Sequence, residues 1–144
     1  MARIQIDFPD RGVFECSLPV RITDLNYGNH LAHDTLVSIL HEARVRFFRA
    51  FDMEEWDIDG NSLLVVDLGV TYRAQVFYGQ TLRIEIAIDD PGTRGCDLLY
   101  RVTDEDSAEQ IALAKTGIVF FDGENERVTR MPEKFQKVVD RQFS

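Results

Sequence analysis

The chain has 144 residues, 44% of them hydrophobic and 28% charged, and carries a formal net charge of −9. That length suits one compact domain, so residues 1–144 are expected to form a single unit. No apolar run approaches the ~20 residues that span a bilayer, the first residues lack the pattern of a secretory signal, and the acidic excess removes long-range attraction for nucleic acid phosphate. A cytoplasmic protein with neither a membrane nor a nucleic acid partner is expected.

In chain order, Ile4, Ile6 and Phe8, then Phe14, Cys16 and Leu18, alternate with polar residues, as two short strands or one bent strand broken at Pro9-Asp10-Arg11-Gly12. From Asp34 to Phe51 the period lengthens. Leu36, Leu40, Ala43, Phe47 and Phe51, flanked by Val37, Ile39 and Phe48, form the apolar stripe of one long helix, with Ser38, Glu42 and Arg49 on the opposite face. Arg44 falls inside the stripe and is expected to pair internally or reach a subunit seam, whereas Glu42 stands one turn before Arg46.

Period two then returns. Leu64, Val66, Leu68, Val70 and Tyr72 read as one face of a long strand, and Leu82, Ile84, Ile86 and Ile88 as one face of the next. Beyond the turn at Asp90-Pro91-Gly92 come Cys96, Leu98, Tyr100 and Val102, and after a polar loop Ile111, Leu113, Val119 and Phe121, interrupted by Lys115 and Gly117. Met131-Pro132-Glu133 opens a short terminal helix. The reading is an α+β domain in which a curved antiparallel sheet of about five to six strands, including a four-stranded meander, wraps a long central helix as in a hotdog fold. Cys16 and Cys96 belong to no C-x-x-C or Cys/His cluster, so they read as buried thiols; neither a metal nor a cofactor is called for.

The run Arg21-Ile22-Thr23-Asp24-Leu25-Asn26-Tyr27-Gly28-Asn29-His30, followed by His41-Glu42-Ala43-Arg44, resembles the signature of the 4-hydroxybenzoyl-CoA thioesterase-like hotdog family, R-x-x-x-x-D-x-x-G-H-V-N-N-x-x-Y and then E-x-A-R. The segment from Tyr72 to Gln80 is similar to that family's Y-x-x-P-x-x-x-G-D, and Gly117 to Asp122 and Met131-Pro132-Glu133 stand where it has its last strand and closing segment. The resemblance implies hydrolysis of an acyl-CoA thioester to the free acid and coenzyme A, which enters only as part of the substrate. It further implies a homodimer whose sheets join edge to edge, or a homotetramer built as a dimer of dimers. The sites would lie at the subunit interface near the N-terminal end of the long helix, whose unpaired N–H groups can polarise a carbonyl.

The family's reacting carboxylate falls on Asn26, a neutral amide able to position water or donate to the carbonyl. Asp24, two residues earlier and on the same side of an extended stretch, could supply a carboxylate or simply cap a turn. His30 takes the place of the family's histidine and could act as base or donor, while His41 occupies the position of its helical carboxylate. Tyr27, Tyr72, Arg73 and Phe77 are expected to line the acyl or pantetheine channel by the same resemblance, although an aromatic on an alternating strand is core more often than ligand contact. No phosphate clamp is assigned among Arg46, Arg49 and Arg83. Two other readings compete: a non-catalytic acyl-thioester-binding hotdog, because Asn26 removes the carboxylate, and an enoyl-CoA hydratase, because Asp24-Leu25-Asn26 opens like D-x-N-P-x-H. In the latter, Tyr27 replaces the proline and His30 comes one residue late.

Overall fold

The computed structural model describes residues 1–144. Its elements are β1 (Phe14–Pro19), a 3-10 turn (Ile22–Asp24), α1 (His33–Ala50), β2 (Ser62–Tyr72), β3 (Thr81–Asp89), β4 (Gly95–Asp104), β5 (Gln110–Asp122), β6 (Arg127–Thr129) and α2 (Glu133–Phe143). The strands form one antiparallel sheet in the order β1-β3-β4-β5-β2, with β6 paired to β5. This is a hotdog fold: the sheet curls around α1, which buries Leu36, Leu40, Ala43, Phe47 and Phe48. No helix is long and apolar enough to cross a membrane.

The expected helix is present within one residue at each end, and its stripe is the buried face. The inward rows of β1, β3 and β4 also follow the alternation. Phe14, Cys16 and Leu18 lie opposite Ile86, Ile84 and Leu82, which pair in turn with Tyr100, Val102 and Asp104.

Four expectations are corrected. First, Ile4, Ile6 and Phe8 lie in no strand; Ile4, Gln5, Ile6 and Asp7 instead line a groove on the outer face of the sheet with Gly69, Leu99 and Lys115, and Phe8 packs under the Arg101 guanidinium. Second, only β3, β4 and β5 form a meander, because β2 crosses to the far side of β5 and becomes an edge. Third, the register of β2 skips a residue between Val65 and Asp67, and such a bulge inverts the facing of everything before it. Leu63 and Val65 therefore share the inner face with Leu68 and Val70, while Leu64 turns outward. Fourth, the inward row of β5 is Ala112, Ala114, Thr116, Ile118 and Phe120, the first four opposite Val102, Tyr100, Leu98 and Cys96 and the last opposite Thr129 of β6. Leu113 and Val119 belong to the outer face. There Asp67 accepts the Gly117 N–H at 2.8 Å and pairs with Lys115, an approach that a Cβ on Gly117, 2.6 Å from the carboxylate oxygen, would block.

The C-terminal end of α1 is sealed by aromatics. The Phe47 ring lies 5.7 Å from Phe14, 5.3 Å from Phe48 and 6.5 Å from Phe135, and Phe135 lies 5.0 Å from Phe120. Offset and edge contacts of this kind add about 0.5–1.5 kcal/mol per pair beyond simple burial. Helix α2 supplies Phe135, Val138 and Val139 to this cluster, and the Gln142 side chain clamps the Ile88 N–H and C=O at 2.6 Å each.

Candidate active site

At the other end of α1 the chain makes a tight loop. The Asn26 N–H donates to the His30 C=O at 2.9 Å, and Leu25 and Leu31 form an isolated bridge; Asn29 turns the chain with a left-handed φ of 64°. The loop is fastened to the β2–β3 connection by the Leu31 N–H, which donates to the Val76 C=O at 2.7 Å. Helix α1 then begins at His33 behind Ala32, a residue with no side-chain oxygen to cap it. The first intrahelical bond is from the Leu36 N–H to the Ala32 C=O, so the N–H groups of the first turn have no partner within the helix.

A cavity of about 380 Å³ opens at this point, lined by loop residues Asn26 and His30, by Ala32, His33 and Leu36 of the helix start, and by Tyr72, Arg73, Gln75, Val76 and Ile111. The Asn26 Oδ1 accepts the Gly28 N–H at 2.9 Å, which leaves the two amide N–H donors of Asn26 for a ligand. The His30 Nδ1 makes a long contact of 3.4 Å with the Leu31 C=O, favouring the tautomer protonated at Nδ1 and leaving the Nε2 lone pair free. A Cβ on Gly28 would stand 3.1 Å from His30 Nε2 and 3.2 Å from Asn26 Oδ1, so the imidazole and the amide flank a gap that only glycine leaves open. Across the mouth, the Tyr72 hydroxyl donates to the His33 C=O at 2.6 Å, tying the end of β2 to the start of α1. Burial, and then the charge of Asp34, push the Tyr72 phenol above its ordinary pKa, so it stays a donor at neutral pH. Arg73 forms no ion pair, and its N–H donates to the Ile111 C=O at 2.7 Å. The floor, Leu31, Leu36, Val76 and Ile111, is apolar.

Four of the expected site residues thus come together: Asn26, His30, Tyr72 and Arg73. The other four do not. Asp24 is part of the 3-10 turn rather than an extended stretch, which turns it away from Asn26; its carboxylate is buried against the Arg21 N–H at 2.8 Å and the Arg21 guanidinium at 3.2 Å, beside Thr35 and Ser38. It is the capping residue of its turn. His41 stands eight residues beyond His33, about 12 Å along the helix axis, where its Nε2 meets Glu55 at 3.3 Å. Glu55 also holds Arg44 at 2.6 Å, so the arginine inside the apolar stripe is paired internally. Tyr27 and Phe77 are exposed and line no part of the cavity. Sequence reasoning passed over His33 and Gln75 as lining residues. The signal for His33 was its place at the first helical position, directly behind the loop.

A family model described as the thioesterase-like superfamily matches residues 20–139. No curated protein sequence matches the chain. Among solved structures, a 1,4-dihydroxy-2-naphthoyl-CoA thioesterase from Synechocystis superposes with a TM-score of 0.83 at 16% identity, over 91% of this chain and 98% of that one. A Staphylococcus aureus protein solved in complex with CoA superposes at 0.83 and 15% identity, over 96% of this chain and 88% of that one. A DHNA-CoA thioesterase from Staphylococcus aureus superposes at 0.78 and 14% identity, over 88% of each chain.

Proposed function

The chain belongs to the thioesterase-like superfamily, and on that premise we propose that it hydrolyses an acyl-CoA thioester in the cavity between the Asn26–His33 loop and the end of β2. The observation that carries this reading is the convergence on one apolar-floored cavity of a free imidazole nitrogen, a free amide donor and an uncapped helix N-terminus. Hydrolysis needs a base to direct water and donors to hold the oxyanion. His30 Nε2 takes a proton from water as its oxygen attacks the carbonyl carbon. The negative charge gathers on the carbonyl oxygen, held by the first-turn N–H groups of α1 and the Asn26 amide. Collapse breaks the carbon–sulfur bond, and the proton on His30 passes to the departing thiolate, giving the carboxylic acid and free coenzyme A. Tyr72 fixes the helix start on which the donors depend, and the floor receives the acyl chain.

Two copies are part of this proposal. β2 is a sheet edge carrying exposed Leu64, Val65, Val66 and Leu68, a long apolar edge of the kind that natural proteins cover. Its two-fold pairing with a second β2 buries that row and joins the sheets. A dimer of such dimers is the larger assembly, and a cytoplasmic location goes with this substrate.

Release of free thiol from a panel of short, long and aromatic acyl-CoAs is the test. Turnover that falls at least 100-fold in His30→Ala supports the reading; silence across the panel from folded protein overturns it. A second reading, acyl-thioester binding without turnover, is favoured by Asn26 itself, a neutral amide that offers the cavity donors but no carboxylate. Tight binding without turnover in the native chain, with turnover appearing in Asn26→Asp, would establish that reading instead.

A further inference from the structure

Arg44, inside the apolar stripe of α1, is only 8% exposed. Its Nε–H donates to one oxygen of Glu55 at 2.6 Å, and the other oxygen of Glu55 meets His41 at 3.3 Å. A further guanidinium N–H faces the Tyr100 hydroxyl, which shares a 2.8 Å hydrogen bond with Thr116 Oγ1. Burial pushes the Tyr100 phenol above its ordinary pKa, so it keeps its proton, and Thr116 is its only acceptor. An N–H can only donate, so Tyr100 accepts from Arg44 and passes its own proton to Thr116. The Thr116 hydroxyl proton and the rest of the guanidinium donors then have no acceptor within the chain.

Those donors face a cavity of about 210 Å³ between α1 and β2, whose apolar lining includes Leu40, Val65 and Leu68. This cavity and the thioester cavity lie in one trough. Helix α1 covers β3, where Leu82, Ile84 and Ile86 are fully buried, but leaves the inner face of β2 half bare: Leu68 is 47% and Tyr72 41% exposed. Leu36 and Tyr72 line the first cavity; Leu40 and Leu68 line the second, one helical turn and four strand residues further on. Midway, opposite Val70, the sheet presents only Ala114. From Tyr72 to Leu68 the trough runs about 13 Å at ~3.3 Å per residue. An extended chain gains about 1.2 Å per bond, a third of the ~3.6 Å of one residue, so roughly ten carbons span it and a single aromatic ring does not.

A plain alkyl end driven against these donors would strip their water and return nothing, whereas an oxygen there would take their hydrogen bonds. Glu55 already balances the Arg44 charge. A carboxylate would therefore bring a second anion beside Glu55 in a site poor in water, and a neutral acceptor fits better.

We propose that Arg44 and Thr116 select an acyl group of about ten carbons that carries a neutral oxygen, a hydroxyl or a ketone, at its far end. This rests on the thioester reading and names its substrate class. The test compares kcat/KM of the full chain for ω-hydroxydecanoyl-CoA, the corresponding methyl ketone, the ω-carboxy analogue and decanoyl-CoA. Alongside, calorimetry measures binding of S-(ω-hydroxydecyl)-CoA and S-decyl-CoA, thioethers with no bond to hydrolyse. Expected is a preference of at least ten-fold for the hydroxyl and ketone ends over the plain chain in both measurements, the scale of a hydrogen bond to a charged donor. The preference should vanish in Arg44→Met/Glu55→Gln, which removes the pair without stranding either charge, and shrink several-fold in Thr116→Val. Arg49→Met, which breaks an exposed pair with Glu54 elsewhere on the helix, should leave it intact.

If the double variant fails to melt cooperatively, Thr116→Val and Leu68→Trp decide the matter, the latter filling the trough from a half-exposed position and abolishing the preference. Equal use of the plain and oxygenated chains, a preference untouched by these substitutions, or tightest binding of the ω-carboxy analogue would overturn the assignment. Arg44-dependent preference among the thioethers with no thiol release from any thioester leaves the trough standing and removes hydrolysis; thiol release without the preference does the reverse.

Discussion

The two ends of α1 are built on opposite physical terms. Its C-terminal end is locked among Phe14, Phe48, Phe51, Phe120 and Phe135 around a fully buried Phe47. Its N-terminal end carries no cap, opens onto a cavity, and borrows its order from a loop bond to Val76 and a tyrosine hydroxyl. One end holds the fold by packing aromatic rings that exclude water. The other leaves its first-turn N–H groups without a partner in the helix, beside a cavity. On the proposed reading, the contrast separates stability from chemistry along a single helix of 18 residues.

Substitutions at the two ends should therefore fail in different ways. The largest effect is expected at the sealed end: Phe47→Ala leaves a cavity amid four rings and should destabilise the chain by about 3–5 kcal/mol, read as a lowered denaturation midpoint. A loss below 1 kcal/mol would break the comparison. At the open end, His30→Ala should leave the midpoint nearly unchanged while thiol release falls by a factor of about 10²–10⁴, the span of general-base catalysis. Equal damage to stability and turnover would show that the loop is structural.

A finer probe is Gly28→Ala. Its new methyl would press on His30 Nε2 at 3.1 Å and Asn26 Oδ1 at 3.2 Å. Turnover should drop several-fold with little change in melting temperature, and an unaffected rate would mean that the gap between the two side chains is not used.

The smallest effect tests the outer face, remote from both ends. Arg101 hydrogen-bonds Glu85 and holds its carboxyl below the ordinary range, against the opposing pull of burial. A carboxylate with a depressed folded pKa contributes stability that is present above its unfolded value, about 4.3, and lost as pH falls through the folded one. Glu85→Gln should therefore lower the neutral plateau modestly, leave stability below the folded pKa nearly unchanged, and so flatten the acid limb of stability against pH. An unchanged acid limb would assign acid lability elsewhere.

Much of this molecule was legible before its structure. The period of the apolar residues identifies α1 and the inward rows of β1, β3 and β4, because both depend only on which neighbours in sequence share a face. The terminal helix announces itself through Pro132. At the site, the spacing from Arg21 to His30 places Asn26 and His30 on one loop, and Tyr72 and Arg73 join them at the end of β2.

What remained was decided in three dimensions. The bulge beside Val66 turns Leu64 outward, yet a strand apolar on both faces gives no periodic sign of a skipped residue. In β5, the small residues Ala112 and Ala114 face the helix while Leu113 faces out, since closeness of packing and not hydrophobicity selects the inner row. The placement of β2 at the far edge depends on pairing with β5, forty residues and more away in sequence. Asp24 and Asn26 part company because a 3-10 turn, closed by the bond from the Arg21 N–H to the Asp24 carboxylate, rotates one against the other. The sequence by itself determined the long helix, the main strands and the identity of the loop, because those follow from local periodicity and spacing. Which carboxylate is buried, which histidines meet the cavity and which arginines stand unpaired were set by tertiary contacts, because each depends on groups that only the folded sheet brings together.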